Sequence, residues 1–230
     1  ATFGDPEIMQ ELKGYAAIGH NRYATTGEGM LRNVQPMYAD LGFGGFAVAH
    51  NGNLTNAHAL RSELVKRGSI FQSTSDTEVI VHLVSVSTQK TIEERVIDAV
   101  SQVKGGFALI MCTNERMIAI RDPHGIRPLV LGKLGDAHIL ASETCAFDII
   151  GAEYVRDIEP GEMVVLTKGG DLQSMHPFPK VSPRPCIFEY VYFSRPDSFM
   201  GGRSVYAARK SIGKELARES KVDGADMVVP

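Results

Sequence analysis

The sequence contains no tryptophan, three cysteines and no apolar run of about 18 residues, the length that a membrane-spanning helix requires. The cysteines, Cys112, Cys145 and Cys186, are far apart and none lies in a CxxC pair. An odd number of widely spaced cysteines argues against a disulfide framework and for a reducing compartment. We therefore expect a cytoplasmic protein without a membrane-spanning segment.

Charge and histidine placement exclude further classes of partner and site. The net charge of −3 and the isoelectric point of about 6.2 argue against nucleic acid or an anionic membrane as the main partner. The seven histidines include no HExxH pair, so a histidine-based metal site is not expected. With 230 residues, 43% of them hydrophobic, the chain can bury one core and a small part of a second domain.

Helical periodicity marks the first half of the chain. A helix is predicted over 56–67, with Leu64 and Val65 on its apolar face. Another is predicted over 92–103, where Val100 is one of the repeated apolar positions. Helices thus precede most of the strands.

Shorter signals define other elements of this half. Ser75 and Glu78 have the spacing of a capping box, which predicts the start of a further helix. The apolar, glycine-containing runs at 15–20 and 43–50 predict short buried strands.

The middle of the chain changes to strands joined by tight turns. Strands are predicted over 107–112 and 117–120, and the turns between such strands indicate largely antiparallel sheets. A last helix is predicted over 205–219. Helices grouped early and antiparallel strands later predict an α+β fold.

Arg22 is the first candidate binding residue, because it directly follows the predicted strand at 15–20. A guanidinium at a strand end offers a planar fork for a carboxylate. The alternative is an arginine paired with a structural Asp or Glu.

Asn51 and Gly52 form a second candidate, since a side-chain amide and a backbone N–H can point two donors at one oxyanion. Asn-Gly is also a common hairpin turn, although a helix and not a strand follows here.

Asp76 is the third candidate, at the first turn of its predicted helix. Its carboxylate could accept a substrate ammonium, or it could compensate the helix dipole. The segment 189–198 is dense in aromatic and charged residues, which also fits a domain junction packed by aromatics. An arginine for a carboxylate, an aspartate for an ammonium and an oxyanion hole together predict a site for an amino acid whose side-chain carbonyl is attacked.

Five motifs follow one another along the chain: GHNRYATTG at 19–27, AHNGNLTNAHALR at 49–61, TSDTEV at 74–79, RDPHGIRPLVLG at 121–132 and EYVYFSRPDSF at 189–199. Together they resemble the amidophosphoribosyltransferases. The first three motifs are shared more widely among glutamine amidotransferases with an N-terminal cysteine, whereas the last two point more narrowly to this family.

The resemblance implies a four-layer αββα sandwich of the N-terminal nucleophile hydrolase type. It assigns residues 1–195 to a type 2 glutamine amidotransferase domain that lacks its N-terminal strand and nucleophile. Residues 196–230 would be the junction and the beginning of an α/β phosphoribosyltransferase domain. We therefore expect the sequence to be a piece of a longer protein, truncated at both ends.

The resemblance also implies residue roles. Arg22 would hold the α-carboxylate of glutamine, with Tyr23 and Thr25 ordering its loop. The side-chain amide of Asn51 and the backbone N–H of Gly52 would form the oxyanion hole.

Asp76 would accept the α-ammonium group of glutamine, and a cysteine at the mature N-terminus would attack the amide with its own α-amino group as the base. The ammonia would react with phosphoribosyl pyrophosphate to give 5-phosphoribosylamine, pyrophosphate and glutamate, the reaction that begins purine biosynthesis. Position 1 here is alanine, so we expect the 230 residues alone to be inactive.

Two alternatives remain at this point. One is another N-terminal-cysteine amidotransferase of the glucosamine-6-phosphate synthase type, which would be expected to carry Trp at the position of Tyr23 and to lack the motif at 189–199. The other is a non-catalytic glutamine-binding module, which the absent nucleophile would permit.

The resemblance implies further cofactors and partners. Mg²⁺ would accompany phosphoribosyl pyrophosphate in the following domain. Some family members hold a four-iron four-sulfur cluster with one ligand just upstream of the EYVYF motif, where Cys186 lies; a plain small residue is the alternative. Cluster ligation takes four cysteines, so the other ligands would lie beyond Pro230. Glutamine and phosphoribosyl pyrophosphate would be the substrates, and a homo-oligomer is expected.

Overall fold

A computed structural model describes residues 6–12, 14–21 and 30–227. Short 3-10 and π-helical segments lie at Leu31–Asn33 and Glu189–Phe193. The six α-helices of this part are α1 (Pro6–Glu11), α2 (Ala57–Lys66), α3 (Thr77–Val86), α4 (Ile92–Gln102), α5 (Cys145–Ile150) and α6 (Val205–Glu219). The strands are β1 (Met37–Leu41), β2 (Gly44–Leu54), β3 (Gly105–Thr113), β4 (Arg116–Arg121), β5 (Val130–Leu134), β6 (Ala137–Ala141), β7 (Glu153–Asp157), β8 (Met163–Thr167), β9 (Leu172–Met175), β10 (Phe199–Met200) and β11 (Arg203–Ser204).

The central layer is a six-stranded antiparallel sheet in the order β1-β2-β3-β4-β8-β9. One face of this sheet packs against α2, α3 and α4, and the largest apolar core lies between them. Fully buried side chains from both layers, such as Leu109 of β3 and Ile80 of α3, meet there. The prediction of antiparallel strands over 107–112 and 117–120 is confirmed by β3 and β4.

The other face of the central sheet packs against a second sheet of three strands, in the order β6-β5-β7. A smaller core between the sheets includes Ala119 of β4 and Leu131 of β5. On the far side of β5, a Cβ atom on Gly132 would lie 2.8 Å from the ring of Phe147, so α5 covers the outer face. Helices, sheet, sheet and helix give the expected α+β, four-layer αββα architecture.

Within the described ranges, no helix combines the length and the apolar character that crossing a bilayer requires.

The predicted apolar face is correct for Val100 of α4 but only partly correct for α2. In α4, Val100 is 1% exposed and its side chain belongs to the main core, as predicted. In α2, Leu64 is buried but Val65 is 52% exposed, so the prediction for Val65 was wrong. Adjacent helical positions are about 100° apart, so only one of the two side chains can point directly at the sheet.

The predicted capping box at Ser75 and Glu78 was also wrong. Glu78 is 9% exposed, and its carboxylate accepts hydrogen bonds from the backbone N–H groups of Gln72 and Ser73 and from the Ser73 hydroxyl. The loop before α3 runs close enough to supply these donors, and they occupy the carboxylate that would have capped the helix. A capping box of the predicted kind occurs instead at the start of α4.

The run at 15–20 does not form the predicted strand. Tyr15 is 71% exposed, and its hydroxyl donates to the carbonyl oxygen of Asn114 in the turn between β3 and β4. None of the three described sheets pairs with this run. A short apolar run needs a partner's ladder of hydrogen bonds to become a strand, and pattern alone does not supply it.

The burial contrast between Val100 and Val65 gives a direct test of the core. Val100→Ala should lower the free energy of unfolding by about 1–3 kcal/mol, because it removes two buried methyl groups and leaves a cavity. Val65→Ala, the same change at an exposed helical position, should alter it by less than about 0.5 kcal/mol. Urea denaturation of both variants measures the difference. Equal effects would contradict the packing of α4 against the central sheet.

Candidate functional site

A cavity of about 1280 Å³ opens at the end of β2. Its wall is made by the last residues of β2, the start of α3, the loop that follows β4, the turn between β6 and α5, and the π-helical segment. These elements come from both sheets and from the chain after them. Within the described residues, the cavity gathers three of the predicted site residues, namely Asn51, Gly52 and Asp76.

The edge of β2 explains why polar groups collect here. Strand β1 pairs only with residues 44–48, so the rest of β2 has no neighbour on that side. The N–H of His50 donates to Oε1 of Gln35 at 2.7 Å, and the N–H of Leu54 donates to Oδ2 of Asp76 at 2.8 Å. Gly52 lies between these two residues on β2 and lines the cavity.

Gly52 cannot be replaced without strain. Its φ is +145°, a conformation that residues with a side chain rarely adopt, and a Cβ atom would collide with the carbonyl oxygen of Gly106. Gly52 lies opposite Phe107 within β2 and β3, so Asn51-Gly52 is not a hairpin turn. That alternative reading of the motif is therefore excluded.

The side chain of Asn51 is directed toward the second sheet. Its Nδ2 donates to Oγ of Ser142 over 3.5 Å, a long hydrogen bond. Ser142 follows β6, and the sequence contains no signal that would pair it with Asn51. The contact ties the amide to a turn that belongs to the other sheet.

Asp76 stands at the N-cap position of α3, but its side chain does not cap the helix. One carboxylate oxygen accepts the N–H of Leu54, so the side chain bends over the end of β2. The other oxygen lies 3.5 Å from the Thr77 hydroxyl and 3.8 Å from Nδ1 of His50. The side chain stays 25% exposed toward the cavity. Dipole compensation alone does not account for this placement.

His50 leaves the charge of Asp76 uncompensated. Burial lowers the pKa of His50, and the Asp76 carboxylate, which acts in the opposite direction, does not offset it. The imidazole is therefore neutral at pH 7. No other cationic group of the described ranges comes within 4.0 Å of Asp76. The carboxylate thus presents a net negative charge to the cavity.

The RDPHG motif shapes the loop that follows β4. The guanidinium of Arg121 donates to the carbonyl oxygens of Gly125, Arg127 and Ile158. The buried carboxylate of Asp122 accepts the N–H groups of Phe107, His124 and Ile126. Both side chains are buried and their bonds are to backbone, so their role is to hold the loop.

That loop brings Arg127 to the cavity, where it meets the π-helical segment. Arg127 donates to the carboxylate of Glu189 at 2.7 Å, and its guanidinium lies 4.6 Å from the ring centre of Phe193. Glu189 is 3% exposed and also accepts from the Ser194 hydroxyl. The motif at 189–199 therefore forms part of the cavity wall. Arg127 and Glu189 were not predicted as site residues.

The cysteines contribute little to the cavity. Cys145 lines it, but burial raises the pKa of its thiol, so it is protonated at neutral pH and a poor nucleophile. Cys186 is not among the lining residues; its N–H donates to the carbonyl oxygen of Ile126. No group of three or more His, Cys, Asp or Glu in the described part of the chain is arranged to hold a metal ion.

Arg22, Tyr23 and Thr25 lie outside the described residues. Residues 19–21, directly before them, line the cavity. The proposed roles of these three residues in binding glutamine stay predictions.

Two solved structures resemble the chain closely. The glutamine phosphoribosylpyrophosphate amidotransferase of Bacillus subtilis, complexed with ADP and GMP, has a TM-score of 0.83 and 45% sequence identity, covering 89% of this chain and 44% of that one. A structure described as the allosteric regulatory enzyme of purine biosynthesis has a TM-score of 0.84 and 46% identity, with the same coverage.

Sequence relatives agree with the structures. The amidophosphoribosyltransferase of Rhizobium etli is 49% identical over 232 residues, 99% of this chain and 47% of that protein. That of Bacillus subtilis is 47% identical over 221 residues, 96% of this chain and 46% of that protein. The chain thus spans just under half the length of these curated relatives. Residues 20–148, more than half of the chain, match the glutamine amidotransferase domain family, so the chain belongs to the glutamine amidotransferases.

Proposed function

We propose that this chain forms the glutamine-hydrolysing part of an amidophosphoribosyltransferase of de novo purine biosynthesis. The ammonia released from glutamine would react with phosphoribosyl pyrophosphate to give 5-phosphoribosylamine, pyrophosphate and glutamate. One observation carries the proposal: Asn51, Gly52 and Asp76 line one cavity, at the end of β2 that β1 does not cover. Similarity to amidophosphoribosyltransferases over almost the whole chain supports it.

In the proposed complex, Asp76 accepts the α-ammonium group of glutamine. Its charge is available because His50 is neutral and because the Leu54 N–H holds the carboxylate without neutralising it. Arg22 would hold the α-carboxylate, with Tyr23 and Thr25 ordering its loop. The two substrate charges would then fix the side chain of glutamine along the edge of β2.

Asn51 and Gly52 would stabilise the tetrahedral intermediate that forms when a thiol attacks the side-chain amide. The Asn51 amide and the Gly52 N–H provide two donors from neighbouring residues, as an oxyanion hole requires. A cysteine at the mature N-terminus is proposed as the nucleophile, with its α-amino group as the base. The raised thiol pKa of Cys145, the cysteine that lines the cavity, argues against an internal nucleophile there.

The remaining assignments extend to the protein beyond this cavity. We propose residues 1–195 as the glutamine amidotransferase domain and 196–230 as the junction and beginning of a phosphoribosyltransferase domain. Helix α6 supports the boundary, because Ile212 and Leu216 are 46% and 60% exposed and would suit a further packed layer. Mg²⁺ would act with phosphoribosyl pyrophosphate in that domain, and the assembly would be a homo-oligomer.

Cys186 is proposed as one ligand of a four-iron four-sulfur cluster. A cluster needs four cysteines, and the chain has three that lie in different elements. The described residues therefore do not form the site by themselves, and the other ligands would come from elsewhere in the protein.

Asn51→Ala tests the oxyanion hole. In the full-length protein, kcat for glutamine hydrolysis should fall about a hundredfold, because one donor to the developing oxyanion is lost. The KM for glutamine should change little, since the donor acts mainly on the transition state. Glutamate release under steady-state conditions measures both, and Asn114→Ala, at an exposed turn, is the matched control. An increase in KM at unchanged kcat would contradict the assignment.

Asp76→Asn tests the ammonium site. Asparagine keeps an oxygen for the Leu54 N–H but loses the charge, so glutamine affinity should fall about ten- to a hundredfold. Glutaramate, the analogue without the α-amino group, should bind both proteins equally weakly. Calorimetric titration with both ligands measures this, and Asp148→Asn, an exposed carboxylate on α5, is the control. Loss of affinity for glutaramate as well would show that Asp76 supports the fold and not the ammonium group.

A further inference from the structure

The turn between β6 and α5 contains three consecutive residues that accept hydrogen bonds from other segments, namely Ser142, Glu143 and Thr144. On the cavity side, Ser142 accepts the hydrogen bond of the Asn51 amide. Oε2 of Glu143 accepts from the N–H of Arg195 at 2.7 Å and from the hydroxyl of Ser198 at 2.8 Å. Oγ1 of Thr144 accepts from the N–H of Phe199 at 2.8 Å. The turn therefore links the Asn51 amide to residues 195–199, which we name the junction segment.

Glu143 binds the backbone N–H of Arg195 and the hydroxyl of Ser198, and not the guanidinium of Arg195. The guanidinium of Arg195 is bound by both oxygens of Asp197, at 3.0 and 2.7 Å. Only the backbone N–H of Arg195 reaches Glu143. Hydrogen bonds to a carboxylate are short and about twice as strong as those between neutral groups. Glu143 thus fixes the distance between the turn and the junction segment.

The junction segment is joined in turn to α6. The N–H of Val205 donates to the carbonyl oxygen of Ser198, and the N–H of Tyr206 donates to that of Pro196, both at 3.0 Å. Arg209 of α6 donates to the carbonyl oxygens of Tyr190 and Ser194 directly upstream. A displacement of α6 would therefore move the backbone groups that Glu143 binds.

We propose that Glu143 is a positioning residue for glutamine hydrolysis. It anchors Ser142 to the junction segment, and Ser142 in turn orients the side-chain amide of Asn51. The proposal rests on the proposed function, in which the Asn51 amide stabilises the oxyanion. An oxyanion donor is effective only within a narrow geometry, so a shift of about 1 Å in its support can cost a large part of the rate.

The test is a double-mutant cycle in the full-length protein. Glu143→Ala should lower kcat for glutamine about tenfold without changing KM. The rate with ammonia in place of glutamine should stay unchanged. Glu143→Gln, which keeps an acceptor oxygen of the same reach, should restore most of the glutamine rate. Glu153→Ala, an exposed glutamate of β7, is the control that should leave all three values unchanged.

The cycle partner is Asn51→Ala. If Glu143 acts through Asn51, adding Glu143→Ala to that variant should produce almost no further loss in kcat. Fully additive losses, or an equal loss of the ammonia-supported rate, would overturn the role of Glu143 and leave the proposed function standing. A normal kcat in Asn51→Ala alone would overturn both. Thermal unfolding of each variant shows whether it remains folded at the assay temperature.

Discussion

The unequal length of two paired strands is the constraint on which the site depends. Strand β2 has 11 residues, and β1 covers only its first part, so the backbone N–H groups on that edge of its far end have no strand to bind. Buried unpaired N–H groups are costly, and side chains take up the bonds: Gln35 for His50 and Asp76 for Leu54. Gly52 lies between His50 and Leu54 on the strand and lines the cavity. The same shortage of strand partners draws the carboxylate of Asp76 to the end of β2.

The rest of the cavity wall is held by buried charges whose partners are mostly backbone. Arg121 binds three carbonyl oxygens and Asp122 three N–H groups, and these bonds hold the loop that follows them. This rigidity places Arg127 against the buried carboxylate of Glu189. A buried charge without such partners would cost several kcal/mol, roughly the scale of a domain's total stability. The motifs at 121–132 and 189–199 therefore serve first to shape the wall of the cavity.

The electrostatics of the cavity follow from burial. His50 is enclosed at 4% exposure, stays neutral and has an Nε2 atom without a hydrogen-bond partner in the described part of the chain. Among the described residues, no cationic side chain lies within 4.0 Å of the Asp76 carboxylate. A carboxylate in this setting favours a cationic ligand group, as the proposed α-ammonium of glutamine would be.

Local pattern was sufficient where a segment's neighbours lie close in sequence. The hairpin of β3 and β4, the helix over 205–219 and the apolar repeat of α4 could all be predicted, because turns and helical periodicity depend on a few adjacent residues. Asn51, Gly52 and Asp76 could be named for the same reason, since each belongs to a compact motif. Two other predictions failed because spacing and apolar pattern do not show which groups a residue binds: Glu78 binds the preceding loop and does not cap its helix, and the run at 15–20 pairs with no described strand.

The sequence by itself determined the α+β class and the family, and it named three residues that line the cavity. Only the tertiary structure decided that β2 extends beyond β1, that His50 is neutral beside Asp76, and that the turn at Glu143 connects the Asn51 amide to the junction segment. The hydrogen bonds that build the cavity wall include pairs about fifty or more positions apart, such as Glu143 with Ser198 and Arg127 with Glu189. Periodicity and motifs describe neighbours along the chain, whereas such contacts arise only when packing brings distant segments together.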